Sequence, residues 1–101
     1  MTRTYKGDRT IDGVKVTVDE APLDLKLDVH TFTDYGFEWS YEGDGPRQLA
    51  LAILVDHLGD PAEAKRLAEP FMTRVVANFG NEWEMTGEDV ARALSNIGAD
   101  A

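Results

Sequence analysis

The chain has 101 residues, the size of one domain, and contains no cysteine, which excludes a disulfide framework and thiolate chemistry. It carries ten basic and nineteen acidic residues, a net charge of −9, which disfavours direct contact with nucleic acid or an anionic membrane and favours a basic partner. No apolar run approaches the roughly 20 residues that span a bilayer, and the polar start Met1-Thr2-Arg3-Thr4-Tyr5-Lys6 lacks the apolar core of a signal peptide, so the expected location is the cytoplasm of a bacterium or of a phage-infected cell.

Asp12-Gly13 is the first strong local signal, a hairpin turn in which both residues tolerate positive φ. It pairs Ile11 with Val14, Arg9 with Val16 and Lys6 with Asp19. Val14, Val16 and Val18 then share a face with Tyr5, Gly7 and Ile11. Arg9 falls on that same side, which predicts a bulge near Gly7. After Pro22, the segment Leu23-Asp24-Leu25-Lys26-Leu27-Asp28-Val29 alternates apolar and charged residues, the pattern of a half-buried strand. Phe37-Glu38-Trp39-Ser40-Tyr41-Glu42 alternates again, with the aromatics facing one way.

Gly43-Asp44-Gly45-Pro46 closes that segment and opens a helix from about Pro46 to Leu58, with proline at the first helical position. Leu49 to Val55 leave almost no polar face, which marks the central buried helix; Gly59 ends it. Asp60-Pro61-Ala62-Glu63 reads as a helix start, and the second helix runs towards Asn78, kinked or split at Pro70. Trp83-Glu84-Met85 is a short strand or extended segment. Thr86 caps the last helix with Asp89 three residues on, Val90, Ala93, Leu94 and Ile97 line its inner face, and Gly98 stops it. The expected fold is a single α+β domain over residues 1–101: a small antiparallel sheet, made of the N-terminal hairpin and two or more further strands, packed against about three helices.

Catalytic signals are poor. His30 and His57 are far apart, and His57 near a helix C-terminus suits the dipole as a cation. Asp8 with Asp12, or Glu42 with Asp44, offers only a weak hint of a hard-cation site, and no ligand spacing supports it. Gly43-x-Gly45 before a helix is flanked by Glu42 and Asp44, which repel phosphate, and the Walker lysine is absent. Ser40 and Ser95 have no base or elbow motif around them. No catalytic, metal or cofactor site is assigned.

Charge is unevenly distributed. Residues 1–18 hold four positive and two negative side chains, residues 19–44 hold eight acids against Lys26, residues 45–79 balance, and residues 80–101 hold five acids against Arg92. On alternating strands the acids of residues 24–42 face outward together, about 6–7 Å apart along each strand, which is crudely like a sugar-phosphate backbone. The expected partner-binding set is Asp24, Asp28, Glu38, Glu42 and Asp44, with Asp19, Glu20, Glu82 and Glu84 nearby.

The run Gly36-Phe37-Glu38-Trp39-Ser40-Tyr41-Glu42-Gly43-Asp44-Gly45-Pro46-Arg47-Gln48-Leu49-Ala50-Leu51-Ala52-Ile53-Leu54 resembles the G-F-E-W-G-Y-x-G-x-G-P-x-Q-L-A-L-A-I-L core of a small family from bacteria, archaea and phages whose function is undefined. Tyr5-x-Gly7-x-Arg9 and Trp83-x-Met85-Thr86 are similar to it as well. The family's members often sit on mobile elements, which implies a role in conflict between phage or plasmid and host. Ser40, Glu42 and Asp44 depart from the family's usual glycine, glycine and small residue. The overall profile is similar to small acidic anti-CRISPR proteins. That resemblance implies an anti-defence inhibitor whose acidic face mimics DNA, binds a basic nucleic-acid-binding surface such as a CRISPR-Cas effector subunit, and blocks target DNA. The alternative is a non-enzymatic interaction subunit that meets its partner through apolar surface.

Overall fold

The computed structural model describes residues 3–98. Four strands form one antiparallel sheet: β1 Thr4–Thr10, β2 Gly13–Val18, β3 Ala21–Pro22 and β4 Trp83–Thr86, in the order β3-β2-β1-β4. Three helices, α1 Asp44–Leu58, α2 Pro61–Arg74 and α3 Gly87–Ile97, complete the α+β fold, with a 3₁₀ turn at Val76–Asn78.

The hairpin register differs from the expected one by two residues: Thr10 faces Gly13, Arg9 faces Val14 and Gly7 faces Val16. Ile11 and Asp12 form the tip, and Ile11 is fully exposed. The ladder runs without a bulge through Gly7. Arg9 stays on the core side because its charge is met there: Nη1 donates to Glu38 Oε1 at 2.6 Å, Nη2 donates to the Trp39 carbonyl at 2.9 Å, and the guanidinium lies 4.6 Å from the Trp39 ring centroid. The second hairpin turn, Asp19-Glu20, has positive φ at both residues (50° and 73°), the twist that a two-residue turn between right-twisted strands requires. Asp19 is held there by structure. Its amide donates to the Thr4 carbonyl and its Oδ1 accepts from the Thr4 amide, each at 2.9 Å, while Oδ2 lies 3.9 Å from Arg3.

Two expected strands are absent. Residues 23–29 leave the ladder after Leu23, whose amide still donates to Val16. Lys26 adopts a left-handed φ of 58°, and its carbonyl accepts from Val29 and His30 in a turn. Residues 37–42 bury Phe37 and Trp39 as the alternation predicts, yet find no strand partner. Ser40, at φ 79°, breaks the extended run; its amide donates to Val76 and its hydroxyl to Phe79 at 2.6 Å. Period-two hydrophobicity records that one side is buried; a strand also needs a neighbouring backbone, and here Arg9 and the 3₁₀ turn occupy those positions.

Left-handed backbone at Ser40 costs a non-glycine residue about 1–2 kcal/mol, and the hydroxyl bond returns about 1 kcal/mol. Ser40→Ala keeps the strain and loses the bond, so urea unfolding should show a loss of about 1 kcal/mol. Ser40→Gly loses both and should leave stability nearly unchanged.

The core lies between the sheet and α1, whose residues Gln48 to Leu54 are all buried, as the apolar run implies. Tyr5 ties β1 to α1 by donating its hydroxyl to Asp56 at 2.8 Å. Burial, reinforced by that hydrogen bond, keeps the phenol protonated far above its ordinary range. Gly59 closes α1 in the left-handed conformation. Asp60 caps α2 through the Glu63 amide, and α2 continues unbroken through Pro70 to Arg74, neither split there nor extended to Asn78. Buried Leu67, Ala68, Phe71 and Met72 surround the proline and hold the helix against its missing donor. Thr86 and Asp89 form a reciprocal capping box on α3. His57 is not favoured as a cation: burial lowers its pKa below the ordinary 6.5, and Asp56 opposes this only in part. A base with a lowered folded pKa binds its proton more readily when unfolded. Its contribution therefore favours folding less as pH falls through that ordinary value.

Candidate functional site: an acidic, aromatic groove

Among the described residues Gln48 is the one buried polar side chain of the core, and it determines where residues 25–33 lie. Its Oε1 accepts from the Phe32 amide at 2.7 Å and the Thr33 amide at 3.3 Å. Its Nε2 donates to the carbonyls of Leu25 at 2.7 Å and His30 at 3.0 Å. Two acceptor positions and two donors are all used, so the polar side chain is buried without an unmet group. Four main-chain groups of a segment with no ladder are thereby fixed to α1.

The end of that segment lines a groove of about 810 Å³ together with Gly13 and Val14 at the start of β2, residues 34–38, and Tyr41, Asp44 and Gly45. Tyr35 is 97% exposed and Tyr41 51% exposed, and both line the groove. The Tyr41 ring occupies the space where a side chain on Gly43 would stand. Gly45 is needed for a similar reason: a Cβ there would lie 2.7 Å from Cβ of Glu38. Asp34, Glu38 and Asp44 also line the groove, and no Lys, Arg or His does.

Two of its carboxylates are braced by arginines set outside it. Arg9 holds Glu38 as described. Arg47 places Nη1 2.8 Å from Asp44 Oδ1 and Nε 2.6 Å from Glu69 Oε1, linking α1 to α2, with its guanidinium 5.8 Å from the Phe32 ring centroid. The hydrogen bond to Glu69 raises the Arg47 pKa and lowers that of Glu69.

The acids of residues 24–42, expected to face outward together from one sheet surface, do not, and the nine carboxylates of the expected binding set fall in different places. Glu38 and Asp44 line the groove, each paired with an arginine. Asp19, Glu20, Glu82 and Glu84 gather instead around the outer face of the sheet, where two shallow depressions bring Glu20 and Glu84 together with Glu82 or Asp19. Lys6 and Lys15 are interleaved there, and Lys6 lies 3.8 Å from Glu84. Asp24, Asp28 and Glu42 are exposed and line neither place. The correction follows from the missing strands: without ladders over 23–29 and 37–42, no sheet aligns those side chains. Asp100, counted in the C-terminal charge, lies outside the described residues.

Among the described residues no three His, Cys, Asp or Glu side chains are placed to hold a metal ion, and no helix is long and apolar enough to cross a membrane. A family model matches residues 5–96, from Tyr5 in β1 to the last turn of α3. The chain belongs to the Family of unknown function (DUF6166). No curated protein and no solved structure matches it. The match to DUF6166 spans the hairpin, the groove and all three helices, so the groove lies wholly within the family's domain.

Sequence reasoning missed Gln48, Tyr35 and the pairing of Arg9 with Glu38. A lone glutamine opening the run Leu49-Ala50-Leu51-Ala52-Ile53-Leu54 is a signal of a buried polar anchor. Tyr35 sits in Thr33-Asp34-Tyr35-Gly36, a polar stretch whose pattern carries no burial information.

Proposed function

We propose that this domain is a protein-binding module that grips a basic segment of a partner in the groove lined by the start of β2 and residues 31–45. One observation carries the reading: the groove combines two exposed tyrosines with three carboxylates and contains no basic side chain. Exposed aromatic rings supply contact area at small entropic cost, and tyrosine is enriched among residues that dominate binding energy. The net charge of −9 attracts a basic partner over longer range.

The anti-CRISPR reading is a sharper form in which the partner is the nucleic-acid-binding surface of an effector and carboxylates replace phosphates. Its support is the net charge and the cluster of Glu20, Glu82 and Glu84 on the outer sheet face. The two readings separate by mutation. Tagged protein is used to capture partners from host lysate at low and high salt, as wild type, as Tyr35→Ala/Tyr41→Ala, and as Glu20→Lys/Glu82→Lys/Glu84→Lys. The groove reading expects a captured protein whose affinity falls at least about tenfold in the tyrosine variant and is little changed in the sheet variant. The reverse pattern would move the binding surface to the sheet.

A further inference from the structure

We infer that the groove reads arginine rather than positive charge in general, and that its occupant is an arginine within an extended segment of the partner protein. This rests on the groove reading above and specifies its ligand. The domain already holds two guanidinium groups that each meet a ring and a carboxylate of the groove. Arg9 lies over the Trp39 ring while donating to Glu38, and Arg47 lies over the Phe32 ring while donating to Asp44. While Arg47 also forks onto both oxygens of Glu69, each arginine takes one oxygen of its groove carboxylate, Oε1 of Glu38 and Oδ1 of Asp44. The second oxygen of each has no hydrogen-bond partner among the described residues, and the side chains remain 37% and 66% exposed.

The groove gathers the same ingredients with no basic side chain in its lining: the exposed Tyr35 and Tyr41 together with the carboxylates of Asp34, Glu38 and Asp44. A planar guanidinium stacks on a ring and forks onto a carboxylate at once, and it is weakly hydrated. A lysine ammonium is a compact, strongly hydrated point charge that gains from the carboxylate but little from the ring.

The test uses two short Gly/Ser peptides, one carrying two arginines and the other two lysines, titrated against the full chain by fluorescence anisotropy. The arginine peptide should bind at least about fivefold more tightly. Tyr35→Ala/Tyr41→Ala should erase the difference; both side chains are exposed, and an unchanged thermal melt verifies that this variant is folded. Equal affinity for the twins, with both weakened by the tyrosine substitutions, would overturn the arginine assignment and leave the groove reading standing. An arginine preference that survives in the double variant would overturn it too, by placing the guanidinium elsewhere. Absence of binding by either peptide would overturn it, and the lysate capture then decides separately whether the groove binds a partner at all.

Discussion

Gln48→Leu should unfold this domain more readily than any single substitution on its surface, by about 3–5 kcal/mol. The side chain satisfies four main-chain groups, the amides of Phe32 and Thr33 and the carbonyls of Leu25 and His30. Leucine leaves all four without a partner, and each buried unmet group costs about 1–3 kcal/mol unless the segment moves out to water. The segment has no ladder of its own, so part of that cost is relieved by its release, which holds the total below the simple sum. Urea melts would measure the loss, and hydrogen exchange should show early opening confined to the amides of residues 25–33. Gln48→Glu sharpens the expectation, because it replaces the donor facing two carbonyls with an acceptor. Burial and those carbonyls raise the carboxyl pKa of such a variant above its unfolded value. The folded form then binds the proton more tightly, so the variant is most stable at low pH and loses stability as pH rises through the raised pKa. A variant whose stability did not depend on pH in that range would mean that position 48 is solvated.

Gly7→Ala should cost about 3 kcal/mol, the upper part of the range for overpacking. A Cβ at Gly7 would overlap Nε1 and Cε2 of Trp83 and lie 2.7 Å from its Cζ2. Trp83 is held on two sides: it stacks on Phe79 at 4.3 Å and meets Trp39 edge-on at 5.9 Å. A methyl group on β1 therefore disturbs three aromatic rings, those of Trp83, Phe79 and Trp39. Tryptophan fluorescence should shift along with the melting temperature. Gly80→Ala is the control, since its nearest neighbour would be a backbone oxygen 3.8 Å away, and it should be close to neutral.

These two positions show what was legible in the sequence. The helices were, apart from the course and end of α2 beyond Pro70, because their other limits are set locally: Asp60 with Pro61, Thr86 with Asp89, and Gly59 and Gly98 in left-handed closures. The short strand at Trp83 was legible through its flanks and composition. The hairpin was found with its register displaced by two residues, since Asp12-Gly13 is a strong turn signal but the chain places the tip at Ile11-Asp12. Residues 23–29 and 37–42 carried a burial signal that held for Leu23, Phe37 and Trp39 but not for Leu27 and Tyr41, which are exposed, and a wrong backbone assignment. Whether an alternating run joins a sheet depends on what reaches its main chain, and Gln48 and Arg9 reach it from 23 and 30 residues away in sequence. The acidic row failed for the same reason. Tyr35 and the groove had no sequence signal, because a concave surface arises only when distant segments meet.

The bracing of residues 31–45 from behind has a consequence for engineering. Gln48 anchors one end of the stretch and Arg9 the other, and neither contact involves the side chains of Asp34 or Tyr35. Thr33 to Gly36 is thus a loop clamped through main-chain atoms on a helix-and-sheet platform, as in a ring whose stone is interchangeable. Its exposed positions can be randomised as a display library while the setting keeps its shape, and new binders selected from it would inherit a pre-shaped backbone.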